Sequence, residues 1–145
     1  MEEFIISDEK SKLDLKLIHR FLTNSYWGKG RTFDEVKNSI DNCMCFGIYI
    51  ESKQVGFARI LTDYTIFAYL MDVFIVEEFR GRGLSKKLLE RIFKDERLIK
   101  IKRWMLATSD AHSLYQKFGF KPVDKPEIYM IKINEPDKVR HKKFG

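Results

Sequence analysis

Apolar positions along the chain change their period several times, and each change marks an element. Phe4-Ile5-Ile6 predicts a short first strand, closed by the polar stretch Ser7 to Lys12. Leu13, Leu15, Leu17, Ile18, Phe21 and Leu22 settle into helical spacing, which predicts a helix from about Asp14 to Asn24. The loop from Ser25 to Gly30 carries Tyr26 and Trp27 between small residues. Thr32 followed by Glu35 is a capping box, and it opens a second helix that ends near Asp41. Cys43 to Glu51 alternates, turns through Glu51 to Gln54 and resumes as Val55 to Leu61, the pattern of an antiparallel hairpin. After a turn at Asp63 to Thr65 comes a long strand, Ile66 to Val76. Leu84, Leu88, Leu89 and Ile92 then return to helical spacing over Leu84 to Phe93. Arg103 to Ala107 reads as a short strand and Ala111 to Lys117 as a short helix capped by Gly119. Ile128 to Ile133 reads as a last strand.

Hairpins come first and strand–helix–strand crossovers later, which indicates an α+β, mixed α/β layered fold around one central sheet. No repeat, low-complexity segment or long linker interrupts the 145 residues, so a single domain over 1–145 is expected, with a basic tail at about 136–145. No apolar run approaches the ~20 residues that span a bilayer, so no membrane partner is expected. The acidic start Met1 to Ile6 lacks the regions of a signal peptide. Cys43 and Cys45 stand two apart, a spacing unsuited to a disulfide, and without a neighbouring His or third Cys they make a poor metal site. A cytoplasmic, metal-free protein is the expectation.

The net charge of +6 favours anionic partners, and Arg80, Arg82, Lys86 and Lys87 form the obvious patch. They surround the stretch on which the chain is organised. The apolar strand Val73 to Val76 passes an acidic turn into Arg80-Gly81-Arg82-Gly83, and the helix starts directly afterwards. Strand, glycine turn and helix together present free backbone N–H groups at the positive end of a helix dipole, an arrangement that holds phosphate. The spacing is neither that of a P-loop nor that of the dinucleotide fingerprint. Arg-Gly-Arg-Gly also occurs in RNA-binding segments, but those are usually repeated and disordered, so nucleic acid is not the expected partner.

At these residues the segment resembles motif A of the GNAT family, the acetyl-CoA-dependent N-acetyltransferases. Arg80, Gly83 and Ser85 occupy that motif's three fixed positions. Ser85 stands where the family prefers Gly or Ala, and Glu77 where it often has Pro. About thirty residues later, Ala111-His112-Ser113-Leu114-Tyr115-Gln116-Lys117-Phe118-Gly119-Phe120 resembles motif B, with Thr108 where an Asn is often found. Tyr69 to Phe74 is also similar to the diamine acetyltransferase branch, which points to small amines.

The resemblance implies a GNAT-like fold, a mostly antiparallel mixed sheet flanked by helices, with its fourth and fifth strands splayed. It implies acetyl-CoA as cofactor, its pyrophosphate at Arg80, Gly81, Arg82, Gly83, Leu84 and Ser85. Its pantetheine arm would pair with Phe74, Ile75 and Val76, and Ala111 and Tyr115 would complete the cofactor site. The implied reaction is direct attack of a primary amine, of a small molecule or peptide, on the thioester in a ternary complex. Tyr115 matches the family tyrosine that acts as general acid to the CoA sulfur. Asp72 interrupts an apolar strand, and a buried carboxylate needs a partner. It can bind the substrate amine, act as base or cap neighbouring backbone, and the sequence leaves these open. Tyr26, Trp27 and Tyr69, with Asp72, are the candidate acceptor-pocket residues. A homodimer stays open, as does the alternative of a catalytically silent GNAT-fold module that senses CoA or docks a protein.

Overall fold

The computed structural model describes residues 3–134, so the expected basic tail at 136–145 lies outside the described residues. The chain divides into two compact units, Met1–Leu106 and Ala107–Gly145. The first unit runs β1 (Ile5–Ser7), α1 (Leu15–Thr23), α2 (Phe33–Asp41), β2 (Met44–Ile50), β3 (Lys53–Thr62), β4 (Phe67–Ile75), α3 (Leu84–Phe93) and β5 (Arg103–Met105). The second holds α4 (His112–Gln116) and a 3₁₀ turn at Pro126–Ile128. The expected α+β class holds, since the five strands form one mixed sheet in the order β1-β2-β3-β4-β5.

Local chemistry sets the element ends. Asp14 caps α1 by accepting the Leu17 N–H at 3.0 Å. Thr32 and Glu35 form the reciprocal capping box of α2 (Thr32 N–H to Glu35 2.8 Å, Glu35 N–H to Thr32 3.0 Å). The β2–β3 hairpin closes on Glu51 and Ser52, both with positive φ (51° and 67°), the twist that suits a two-residue hairpin turn. Asp63 closes the next turn by accepting the N–H groups of Thr65, Ile66 and Phe67, which holds its carboxyl below the usual carboxylate range.

The sheet buries both faces. Toward α1 and α2, Ile18, Leu22, Val36, Ile40, Cys43, Cys45, Phe57 and Phe74 form one cluster, in which Phe21 stacks on Phe74 at 3.9 Å. Toward α3, Ile48, Ile50, Val55, Ile75 and Leu84 form the other. Each fully buried large apolar side chain contributes roughly 1.5–3 kcal/mol. Three antiparallel pairings build β1 to β4, and β5 adds in parallel. That last pairing is brief: Phe67↔Arg103, Ala68↔Trp104 and Tyr69↔Met105. Past Tyr69, β4 has no paired residue on its β5 side among the described residues, which is the parting of the fourth and fifth strands that the resemblance implied.

Two expectations are corrected. The strand expected at Ile128–Ile133 does not form among the described residues. Pro126–Ile128 turns as 3₁₀, and the following residues are exposed and outside any sheet. An apolar run specifies a strand only where a neighbouring edge accepts it. The strand expected from Arg103 to Ala107 stops at Met105 because pairing with β4 stops there. Among the described residues no helix is long and apolar enough to cross a membrane.

Beyond α3, Asp95 accepts from Arg91 (2.9 Å) and from the backbone and side chain of Arg97 (2.9 and 2.7 Å). Arg97 reaches on to Asp8 at 2.6 Å, which ties the end of α3 to the segment after β1. Hydrogen bonds from Arg97 hold the Asp95 carboxyl well below the usual range, against the opposing effect of burial. A depressed carboxylate stabilises the fold above its unfolded value, about 3.9, and loses that contribution as pH falls through and below it. Thermal melts between pH 6 and pH 2.5 should therefore show a steeper acid loss of Tm in the wild type than in Asp95→Asn, whose Tm is lower at neutral pH.

Candidate active site

The glycine turn follows directly from the end of β4. A 3₁₀ turn, Glu77–Phe79, carries the chain out of the sheet, and Arg80 folds back so that its Nε–H donates to the Ile75 carbonyl at 3.0 Å. Gly81 and Gly83 both take left-handed φ (80° and 77°), which a side chain resists. A Cβ built on either meets nothing within 4 Å, so the space over the loop is open. Gly83 is the N-cap of α3 and supplies no side-chain cap, and the first helical bond is Lys87 N–H to the Gly83 carbonyl at 3.2 Å. The amides of Leu84, Ser85 and Lys86 therefore begin the helix without an intrahelical acceptor. Uncapped amides, the positive dipole end and two arginines fit a pyrophosphate. Arg82 packs over Phe79 at 4.8 Å and donates to the Glu78 carbonyl at 3.1 Å, which holds its charge beside the turn.

The strand before the turn has one used edge and one open edge. Val76 N–H donates to the Val55 carbonyl at 2.8 Å, so that amide belongs to the sheet. Along an antiparallel strand alternate residues bond to opposite sides. Ile75, between Phe74 and Val76, thus turns its peptide groups to the side that β5 has left, and its carbonyl is the one that receives Arg80. Of the three residues expected to pair with a pantetheine arm, Ile75 is the one whose backbone faces the open edge.

Asp72 is the unusual residue of β4. Pairing runs Phe57↔Phe74 and then Arg59↔Met71, so Ala58 opposes both Asp72 and Val73, a β-bulge. Asp72 adopts φ 57°, a left-handed conformation that Asp tolerates better than most residues. Its side chain is 1% exposed and fully engaged. Trp27 Nε1–H donates to Oδ1 at 3.1 Å, while Arg31 Nη1–H and Arg59 Nε–H both donate to Oδ2 at 2.9 Å. Arg59 Nη1–H also meets the Cys43 sulfur at 3.3 Å. Asp72 and Trp27 are thus brought together, whereas Tyr26 is exposed, edge-on to Trp27, and Tyr69 sits half-buried at the last β4–β5 pair.

The pattern of single residues missed Arg31 and Arg59. Arg59 lies in the run Phe57-Ala58-Arg59-Ile60-Leu61, where a lone cation needs a buried anion as surely as Asp72 needs a cation. That shared anomaly was the available signal. Arg31, beside the capping box, gave none.

In the second unit, Ala111 N–H, at the N-cap of α4, donates to the Thr108 hydroxyl at 3.0 Å, which fixes the turn leading into the helix. Gly119 at φ 94° and the Phe120 N–H to Tyr115 carbonyl bond close the helix. Tyr115 is buried, edge-on to Phe120 at 5.9 Å. Burial, with a smaller contribution from the Asp110 charge, pushes its phenol up to about 12. His112 is exposed.

With this geometry in view, comparison with known proteins gives a consistent result. A family model for the acetyltransferase (GNAT) domain matches residues 41–122. The crystal structure of a GNAT-family protein from Xanthomonas campestris pv. campestris is 42% identical and covers 92% of this chain and 94% of its own, with a TM-score of 0.88. A protein of Gibberella zeae named as an acetyltransferase is 27% identical over 138 residues, 79% of this chain and 77% of its own. An acetyltransferase of Clostridium acetobutylicum, solved with acetyl-CoA, is similar in fold: 16% identity, TM-score 0.64, covering 92% of this chain and 96% of its own. The chain belongs to the GNAT family of acetyltransferases.

The Asp72 cluster yields a stability prediction. Asp72→Asn keeps the shape and tolerates the left-handed φ but leaves two guanidinium groups against a neutral amide. Urea denaturation should show a loss of about 3–5 kcal/mol; a loss under about 1 kcal/mol would mean that the carboxylate is not the anchor described.

Proposed function

We propose that this protein transfers the acetyl group of acetyl-CoA to a primary amine of a small molecule or peptide by direct attack in a ternary complex. The observation that carries the reading is the uncapped glycine turn placed where β4 loses its β5 partner. Acetyl-CoA, when bound, supplies an activated thioester. The amides of residues 81–85, with Arg80 and Arg82, are assigned to its pyrophosphate. The open edge of β4 at Ile75 is assigned to its amide-rich arm.

Direct attack is favoured over an acyl-cysteine route by the state of the thiols. Cys43 and Cys45 are buried against α1 and α2, and burial pushes the Cys45 thiol up to about 12, far from a reactive thiolate at neutral pH. The acceptor amine, with an ordinary pKa near ~10.4, must shed a proton before it attacks. Asp72 is assigned a positioning role instead of that of base. Both of its oxygens already accept hydrogen bonds, and two guanidinium groups oppose its charge. Proton removal then falls to solvent. Tyr115 is assigned the general-acid role toward the departing thiolate, and a phenol raised to about 12 is a protonated donor at every physiological pH.

Acetyl-CoA should raise the Tm of the wild type, and Gly83→Glu, which sets a carboxylate at the helix N-terminus in a strained φ, should abolish that shift. No shift in the wild type would overturn the cofactor assignment. Tyr115→Phe should lower kcat by about a hundredfold or more while the acetyl-CoA shift persists. Because the phenol stays protonated up to about pH 12, the wild-type rate should show no loss assignable to Tyr115 below about pH 10 in a pH–rate profile. An unchanged kcat in Tyr115→Phe would remove it from the acid role.

A further inference from the structure

The cluster around Asp72 is unequal in charge, and the reaction as described does not use the excess. One carboxylate faces two guanidinium groups, a net charge of +1 beside the middle of β4. Arg59 is spent: Nε–H on Asp72, Nη1–H on Cys43, its side chain 10% exposed. Arg31 is different. Its side chain keeps 26% exposure, and among the described residues its guanidinium has one hydrogen-bond acceptor, Asp72 Oδ2, which it shares with Arg59.

The nearby acids do not balance it. Glu35 is occupied by the Thr32 N–H of the capping box. Asp34 forms no ion pair with Arg31 among the described residues. The position of Arg31 is also held firmly. Its carbonyl bonds the His19 ring at 3.0 Å, its N–H donates to the Gly28 carbonyl at 3.2 Å, and Asp72 fixes one N–H of its fork. A half-buried guanidinium with most of its five donors unused, locked on a buried carboxylate, is preorganised for a second anion.

Resting on the transferase reading above, we propose that Arg31 recognises an anionic substituent of the acceptor, so that the preferred substrate is an amine carrying a carboxylate or phosphate. The planar fork matches either group in a bidentate fashion, and Lys would not reproduce it. The same excess charge disfavours a diamine, whose second ammonium would meet a cation.

The test is acetyl transfer, followed by thiol release, to matched acceptors: an amino acid, its carboxamide, an aminoalkyl phosphate and a linear diamine. The wild type should favour the carboxylate- or phosphate-bearing amine over the carboxamide and the diamine in kcat/KM, by about tenfold or more. Which of the two anionic amines is faster identifies the substituent. Arg31→Gln should reduce the ratio of anionic to carboxamide acceptor by about tenfold, expressed in KM, and Arg31→Lys should restore only part of it. The acetyl-CoA-dependent Tm shift is measured on each variant to show that it folds. Preference for the diamine or carboxamide, or an equal KM rise for every acceptor in Arg31→Gln, overturns this inference and leaves the transferase reading standing. No transfer to any amine overturns both.

Discussion

A carboxylate buried in the middle of a strand has to be neutralised where it lies, and much of this molecule's central architecture follows from that requirement. Asp72 sits on a β-bulge with positive φ, so the register between β3 and β4 slips by one residue at Ala58. The slip lets the carboxylate meet Arg59 from β3, and Trp27 and Arg31 from the segment between α1 and α2. One side chain thereby connects two strands and the interhelical loop. A hydrophobic residue would pack as well, and replacing buried ion pairs by apolar side chains is often neutral or stabilising. What the ionic arrangement adds is a fixed loop and a fixed guanidinium beside the strand.

The other constraint is the early end of β5. A sheet whose last strand pairs over three residues leaves the remainder of β4, among the described residues, without a strand partner on one side. Such an edge is ordinarily a liability, managed by cover or by charge. Here it leads directly into the Gly81–Gly83 turn and the uncapped start of α3. It is to this edge and this helix N-terminus that the proposed function assigns the amide-rich arm and the pyrophosphate of acetyl-CoA.

Much of this was legible in the residues. The capping box at Thr32 and Glu35, the hairpin, the α3 boundaries and the strand–glycine–helix passage follow from local chemistry that tertiary contacts did not override. The last strand expected at Ile128–Ile133 is not formed among the described residues, because an apolar run states only that the segment could pair, not that an edge is there to receive it. The roles offered for Asp72 stayed open because its partners lie 13, 41 and 45 residues away in sequence. Arg31 was invisible in the sequence, since an arginine next to a helix cap looks like any solvated cation.

By itself, the sequence determined the kinds and order of the elements from β1 to α4, the glycine turn and its resemblance to an acetyl-CoA cradle, because these depend on neighbours within a few residues. It also determined that Asp72 must have a partner, because burying an unpaired charge costs too much. Only the tertiary structure decided which partners those are, how far β5 accompanies β4, and which guanidinium keeps donors to spare. Those outcomes depend on strand register and on a loop folding back across the sheet, and no local pattern encodes a register that a single bulge can shift.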